Sequence, residues 1–172
     1  MLPGTGDLRQ PDGRSCGAAV AVAHRMLSDP RFAARIGDRF GEEVLRTHRR
    51  LVGWRTATGS VQPPWPRALG TPPWALAREL TARTGRRHRV RWIPPWHRAR
   101  ALAGVRAAVA AGPVALYVGS RWLPRHVVLV LDAQLHAYDP AVGGVVPLDP
   151  VRFAAGRLPL RRWAQPWFWI GG

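Results

Sequence analysis

Lysine is missing from this sequence altogether: all 26 of its basic residues are arginine, set against only 10 acidic ones, for a formal net charge of +16. With abundant Ala, Gly and Pro, that bias fits a GC-rich coding background, so part of the arginine content is mutational in origin. The scarcity of Asp and Glu has no such explanation. A strongly positive surface field follows, one that attracts nucleic acid, anionic lipid or an acidic partner. Cysteine occurs once, at Cys16, which excludes an intrachain disulfide and leaves the redox compartment open. No apolar run is long enough to span a membrane: Ala18 to Ala23 meets His24 and Arg25 at once. The start, Met1 to Asp7, has neither a basic n-region nor an apolar h-region. The expectation is a cytoplasmic protein, with non-classical export left open. There is no Cys-x-x-Cys and no His-Glu-x-x-His, and Cys16 has no nearby partner ligand, so neither a metal nor a cofactor is expected. Gly4-Thr5-Gly6 is too short a stub for a phosphate loop, and Gly143-Gly144 reads as a turn.

What is present fits one globular domain over residues 1–172, with 47% apolar residues. An Ala/Val-rich helix runs from Cys16 to about Ser28 and is broken by Asp29-Pro30. Arg31 to Arg50 reads as a second helix, with Phe32, Ile36, Phe40, Val44 and Leu45 as core positions at spacings of about four. Residues 53–73 are irregular. A helix from Thr71 to Gly85 and another from His97 to Ala111 flank a basic strand near Arg86 to Ile93, placed at a sheet edge. Strands are then predicted at 114–118, 127–131, 134–138 and 144–148, a short helix at 149–156, and a last strand or packed tail at 163–170. Helices first and an antiparallel sheet after make an α+β fold. Pro-Pro-Trp occurs at 63–65, 72–74 and 94–96 with irregular spacing, read as helix-start punctuation with each Trp against the core.

The chemistry centres on Gln10-Pro11-Asp12-Gly13-Arg14-Ser15-Cys16-Gly17. Ser15 is a good N-cap, so Cys16 takes the first helical position and faces the unpaired N–H groups of the first turn. That end of a helix favours a thiolate. A cysteine nucleophile also needs a base, and the base an orienting group. His24 lies more than two turns along the same helix and cannot reach the thiol. His48, His88 and His97 sit among arginines and read as solvated. His126 opens the apolar strand 127–131, a place suited to a site residue. A hairpin turn centred on Asp132-Ala133 puts His126 directly opposite Asp139, with Cβ atoms roughly 5 Å apart. The same register places His136 away from Asp139 as a structural or surface histidine. Gln10, in the turn before the helix, is placed to donate to a developing oxyanion beside the Cys16 N–H.

Gln10, Ser15-Cys16-Gly17-Ala18-Ala19, Gly112-Pro113-Val114, His126 to Val130 and Tyr138-Asp139-Pro140-Ala141-x-Gly143, with Leu148-Asp149-Pro150 leading into Phe153, together resemble the C39-like branch of papain-fold cysteine peptidases. The resemblance runs from about residue 8 to about residue 156. It implies a papain-like fold with Cys16 as nucleophile, His126 as general base and acid, Asp139 as orienter and Gln10 as oxyanion donor. A peptide or protein substrate, acidic in view of the charge, is the implied partner. Two departures stand out. Bacteriocin-processing members are usually fused to a membrane exporter, and no membrane span is read here; the Pro/Trp/Arg insert at 53–97 is unlike the generic pattern, so specificity does not carry over.

Within this class the reaction stays open between peptidase, acyltransferase, deamidase and toxin-type effector. A rival from another class is a non-catalytic basic module. Arg83-Thr84-Gly85-Arg86-Arg87-His88-Arg89-Val90-Arg91-Trp92 interleaves basic and aromatic residues as nucleic-acid surfaces do, although a solvated arginine face produced by the coding bias is the simpler account of the stretch. The oligomeric state is not readable from the sequence.

Overall fold

In the computed structural model, which describes residues 7–56, 58–66, 70–160 and 163–172, the Ala/Val-rich stretch forms helix α1, Cys16–Ser28. Gly4-Thr5-Gly6 and the rest of the first six residues lie outside the described residues. Small apolar side chains all round α1 let it be enclosed on every side, and it is buried from Cys16 to His24 and at Met26. Helix α2, Pro30–Ile36, starts with Pro at its first turn and with the Asp29 carboxylate accepting from Phe32 N at 2.9 Å. The single helix expected over 31–50 is instead two. Gly37, at φ +46°, turns the chain through a 3-10 segment into α3, Phe40–Leu51. Phe32, Ile36, Phe40 and Val44 are buried as the spacing predicts, whereas Leu45 lies exposed. Helix α4, Pro73–Thr84, begins two residues later than read and closes on Gly85 in the left-handed conformation. The buried carboxylate of Glu79 on α4 accepts from Arg50 at 2.8 Å and Arg83 at 3.0 Å, pinning α4 to α3.

The strands are β1 (Arg89–Trp92), β2 (Val114–Gly119), β3 (Pro124–Val130), β4 (His136–Asp139), β5 (Gly144–Pro147) and β6 (Gln165–Gly171), with α5 (Arg98–Val109) and α6 (Pro150–Ala155) between them. They form one antiparallel sheet in the order β1-β6-β2-β3-β4-β5. The basic strand is at an edge, as expected. The Trp-rich end is a full strand inserted between β1 and β2. Both faces of the sheet are covered. Ala115, Tyr117, Val127, Leu129, Tyr138 and Ile170 pack with the α1–α4 layer, while Leu116, Val118, Val128 and Val130 pack with Leu102 and Val105 of α5 and Phe153 of α6. Burial on both faces explains why β2 and β3 read as unbroken apolar runs and not as alternating ones. The result is an α+β fold whose sheet is wholly antiparallel.

The segment before α1 is held against the β4–β5 turn. Tyr138, buried, donates its hydroxyl to Leu8 O at 2.5 Å, and Gln10 N donates to Pro140 O at 2.8 Å. Tyr138→Phe leaves the Leu8 carbonyl without this donor and is expected to cost about 1–3 kcal/mol. Urea unfolding is the measurement, and an unchanged midpoint would show that this strap contributes nothing to stability.

Candidate active site

Three elements converge on one point. Cys16 opens α1, the Ser15 carbonyl accepts the first helical bond from Ala19 N at 2.8 Å, and the thiol is buried beneath a cleft. Ser15 stands at the N-cap position but its side chain makes no capping bond. The first-turn N–H groups therefore receive nothing from it, and remain available to a ligand.

His126 lies on β3 opposite Val118 of β2, and Asp139 ends β4. The register differs from the one expected. Leu129 pairs with Tyr138 and Val130 with Ala137, which shifts the strands by two positions and sets Val128, not His126, opposite Asp139. The cause is the hairpin loop. It closes between Leu131 N and His136 O at 2.8 Å, not around Asp132-Ala133. The Asp132 carboxylate accepts from His136 N at 3.0 Å, and Leu135 takes a positive φ of 69°. An even shift keeps every side chain on its face. His126 and Asp139 therefore still meet, diagonally, with Nε2 to Oδ1 at 2.7 Å.

Asp139 is fixed from its other side. Its Oδ1 also accepts from Ala141 N at 2.8 Å, and its carbonyl accepts from Gly143 N at 2.8 Å. Gly143 has φ +77°, and a Cβ there would fall 2.9 Å from Arg9 N. Only glycine lets the turn curl this tightly against the segment leading to Cys16. With Nε2 committed to Asp139, Nδ1 is the ring nitrogen left to face Cys16, which lines the same cleft. Burial pulls the His126 pKa down. The hydrogen bond to Asp139, the nearness of Cys16 and the charges of both outweigh it and raise the value to about 9.

Gln10 is brought to the same end of the molecule through its backbone bond to Pro140, next to Asp139. Its side chain is joined to none of the other three, and its buried Oε1 has no hydrogen-bond partner. The remaining histidines stand apart. His24 is buried, and burial, with the charge of His88, lowers its pKa to about 4. His48 is buried and His88 half-buried, contrary to the solvated positions expected: His48 falls with Val44 and Leu51 on the buried face of α3, and His88 donates its backbone N–H to Thr81 Oγ1 at 3.0 Å with its ring edge to face with His24 at 5.8 Å. His97 and His136 are exposed, the latter bonded through Nδ1 to Asp132 at 2.8 Å. Among the described residues no three His, Cys, Asp or Glu side chains are grouped to hold a metal.

The cleft over Cys16 has a volume of about 250 Å³ and mostly apolar walls, including Trp65, Pro72, Tyr117 and Leu123. One wall is the strand-like segment before α4. It presses so closely on α1 that a Cβ at Gly17 would sit 2.6 Å from Thr71 Cβ, and Tyr117 OH holds it by donating to Thr71 O at 3.0 Å. None of these wall residues was singled out by sequence. The signal present was Pro-Pro-Trp. Two of its copies supply Trp65, Pro72 and Pro73 to the cleft, and the rings of Trp65 and Trp74 meet edge to face at 5.0 Å. The prolines do start α4 and the turn before α5, but Trp74 and Trp96 are exposed, not core residues.

A histidine raised to about 9 stabilises the fold in its protonated form. That contribution is complete below the unfolded value of about 6.5 and is lost as pH rises through about 9. NMR titration of the His126 ring is expected to give a midpoint near 9 in the native chain, displaced downward by at least about one unit in Asp139→Asn. The stability advantage of the native chain over Asp139→Asn should shrink across the same window. A midpoint near the ordinary value in the native chain would contradict the arrangement. Comparison with protein-family models, with curated proteins and with solved structures returned no match to this chain.

Proposed function

We propose that this protein is a papain-fold thiol hydrolase of the C39-like kind, a cysteine peptidase that cleaves an amide bond through an acyl-enzyme on Cys16. The observation that carries the reading is the relay Cys16–His126–Asp139, in which a cysteine at a helix start meets a histidine tied at 2.7 Å to a buried carboxylate. A helix bearing the nucleophile, packed on an antiparallel sheet bearing base and orienter, supports the papain-like assignment.

In this reading the Cys16 thiolate attacks the scissile carbonyl while His126 stands protonated beside it. Negative charge develops on the carbonyl oxygen, where the Cys16 N–H at the helix start and the Gln10 amide serve as donors. Collapse breaks the C–N bond, and His126 passes its proton to the departing amine. A water then attacks the thioester and gives one proton to His126; collapse breaks the C–S bond, the carboxylic acid product leaves, and the thiolate beside protonated His126 is restored. Asp139 holds the ring in the one tautomer that keeps Nδ1 toward sulfur. An amine in place of water would make the same intermediate an acyltransferase, and a side-chain amide as substrate a deamidase. The cleft walls exclude none of these.

Cys16→Ala is expected to abolish both labelling by an iodoacetamide probe and hydrolysis of amide substrates. His126→Ala should lower the rate about 10²–10⁴-fold, and Gln10→Ala about a hundredfold. Equal labelling of the native chain and Cys16→Ala would remove the nucleophile from the proposal. His126→Ala with undiminished turnover would remove the base.

A further inference from the structure

Large apolar side chains stand in solvent at the end of the sheet that carries the cleft. Trp92 is 53% exposed, Trp96 72%, Trp122 70% and Leu123 50%. They belong to different parts of the chain but to one rim. Trp92 of β1 pairs with Phe168 of β6, and Phe168 with Tyr117 of β2, which lines the cleft. On that face an aromatic row runs from exposed Trp92 at the sheet edge, through half-buried Phe168, to buried Tyr117 in the cleft wall. Trp167 closes the link to the next loop: its carbonyl accepts from Ile93 N at 2.8 Å and its Nε1 donates to Ser120 O at 2.9 Å.

The loop that presents Trp122 and Leu123 is built, not loose. Ser120 Oγ accepts from both Trp122 N and Leu123 N at 3.2 Å. The backbone crosses so near Gly119 that a Cβ there would fall 2.0 Å from Leu123 O. A pinned tip holding two apolar side chains outward implies something that receives them, because soluble surfaces seldom display contiguous apolar groups without a partner. Exposed Arg121 and Arg125 flank the tip, in a chain of net charge +16.

We propose that this rim docks on an anionic lipid surface, Trp92, Trp96, Trp122 and Leu123 entering the headgroup region while arginines meet the lipid charges. Tryptophan with arginine is the pairing such interfaces favour, one group half apolar, the other cationic on an apolar stem. Single-stranded nucleic acid, the other polyanion that aromatic side chains bind, requires free ring faces for stacking. Here the Arg121 guanidinium covers one face of Trp122 at 4.3 Å, and Trp92 and Trp96 stand perpendicular, edge to face at 5.8 Å and 86°, so the rings are not aligned as a ladder for successive bases. Leu123 has no ring to stack. Its exposure is useful to a lipid interface and useless to a base. Docked this way, the cleft mouth lies at the membrane surface.

The test is co-sedimentation of the whole chain with vesicles of equimolar phosphatidylglycerol and phosphatidylcholine, against phosphatidylcholine alone, at about 100 mM salt. Partition is expected with the anionic vesicles only. Trp122→Ser/Leu123→Ser and Trp92→Ser/Trp96→Ser should each reduce it about tenfold or more, with circular dichroism and melting temperature unchanged. Brominated lipid should quench tryptophan fluorescence in the native chain and less in each double variant. No partition would overturn the proposal. So would partition that both double variants leave intact, since bulk charge would then suffice, or tighter binding to a single-stranded oligonucleotide that the same variants weaken. Cys16→Ala should bind vesicles like the native chain, which separates this surface from the catalytic reading.

Discussion

The hydrogen bond between His126 and Asp139 is the constraint on which the rest of the site depends. A buried carboxylate without a partner costs several kcal/mol, and His126 Nε2 and Ala141 N meet Asp139 at 2.7 and 2.8 Å in the interior. Those donors exist only in one register of β3 against β4 and one shape of the β4–β5 turn. That shape in turn requires glycine at position 143, because the segment carrying Arg9 and Gln10 lies against it. The same segment runs directly into Cys16. One bond thus couples the hairpin, the turn and the chain that leads into Cys16, although the participants are separated by more than a hundred residues.

Much of this geometry was legible from local pattern. Ser15-Cys16 at the boundary between a turn and an Ala/Val run marked the start of α1, and the bounds of α1 follow from it. The apolar runs at 114–118 and 127–131 marked the central strands because both faces of the sheet are covered. The hairpin register was not legible. Asp-Ala is a poor two-residue turn, and the loop is instead set by Asp132 bonding to His136 and by Leu135 at positive φ. The pairing of His126 with Asp139 survived because the shift was even. A shift by one would have put them on opposite faces. Gly37 likewise interrupted a spacing that reads as continuous, since hydrophobic periodicity carries through a tight turn whose two helices share one core.

The walls of the cleft were hidden for a different reason. Part of them comes from the stretch with least regular pattern, before α4, and that part is specified by long-range close approach: Thr71 against Gly17 and Tyr117 against Thr71. Such contacts leave no period in the sequence. A glycine at the second position of an Ala-rich helix is the only trace, and it reads there as a small helix residue. Cys16, His126 and Asp139 stand on regular elements, whereas Trp65, Gly70, Thr71 and Pro72 of the cleft wall stand on irregular backbone. The cluster and that part of the wall therefore rest on different kinds of backbone.

The charge of the molecule makes the same separation from another direction. A net charge of +16 opposes adding a proton anywhere in the protein, and burial opposes it further at His126. Yet the His126 pKa moves upward, to about 9. The two groups in direct contact with the ring must therefore outweigh both effects. That is the expected outcome when the arginines are spread over a solvated surface and screened within about 10 Å, while the partners of His126 act at hydrogen-bond distance in a dry interior. By contrast, His24, buried without a carboxylate beside it, moves the opposite way, to about 4. Two buried histidines in one positive protein thus diverge according to their immediate neighbours. The arginines set the surface field, and the protonation of His126 is set by its own neighbours, Asp139 and Cys16.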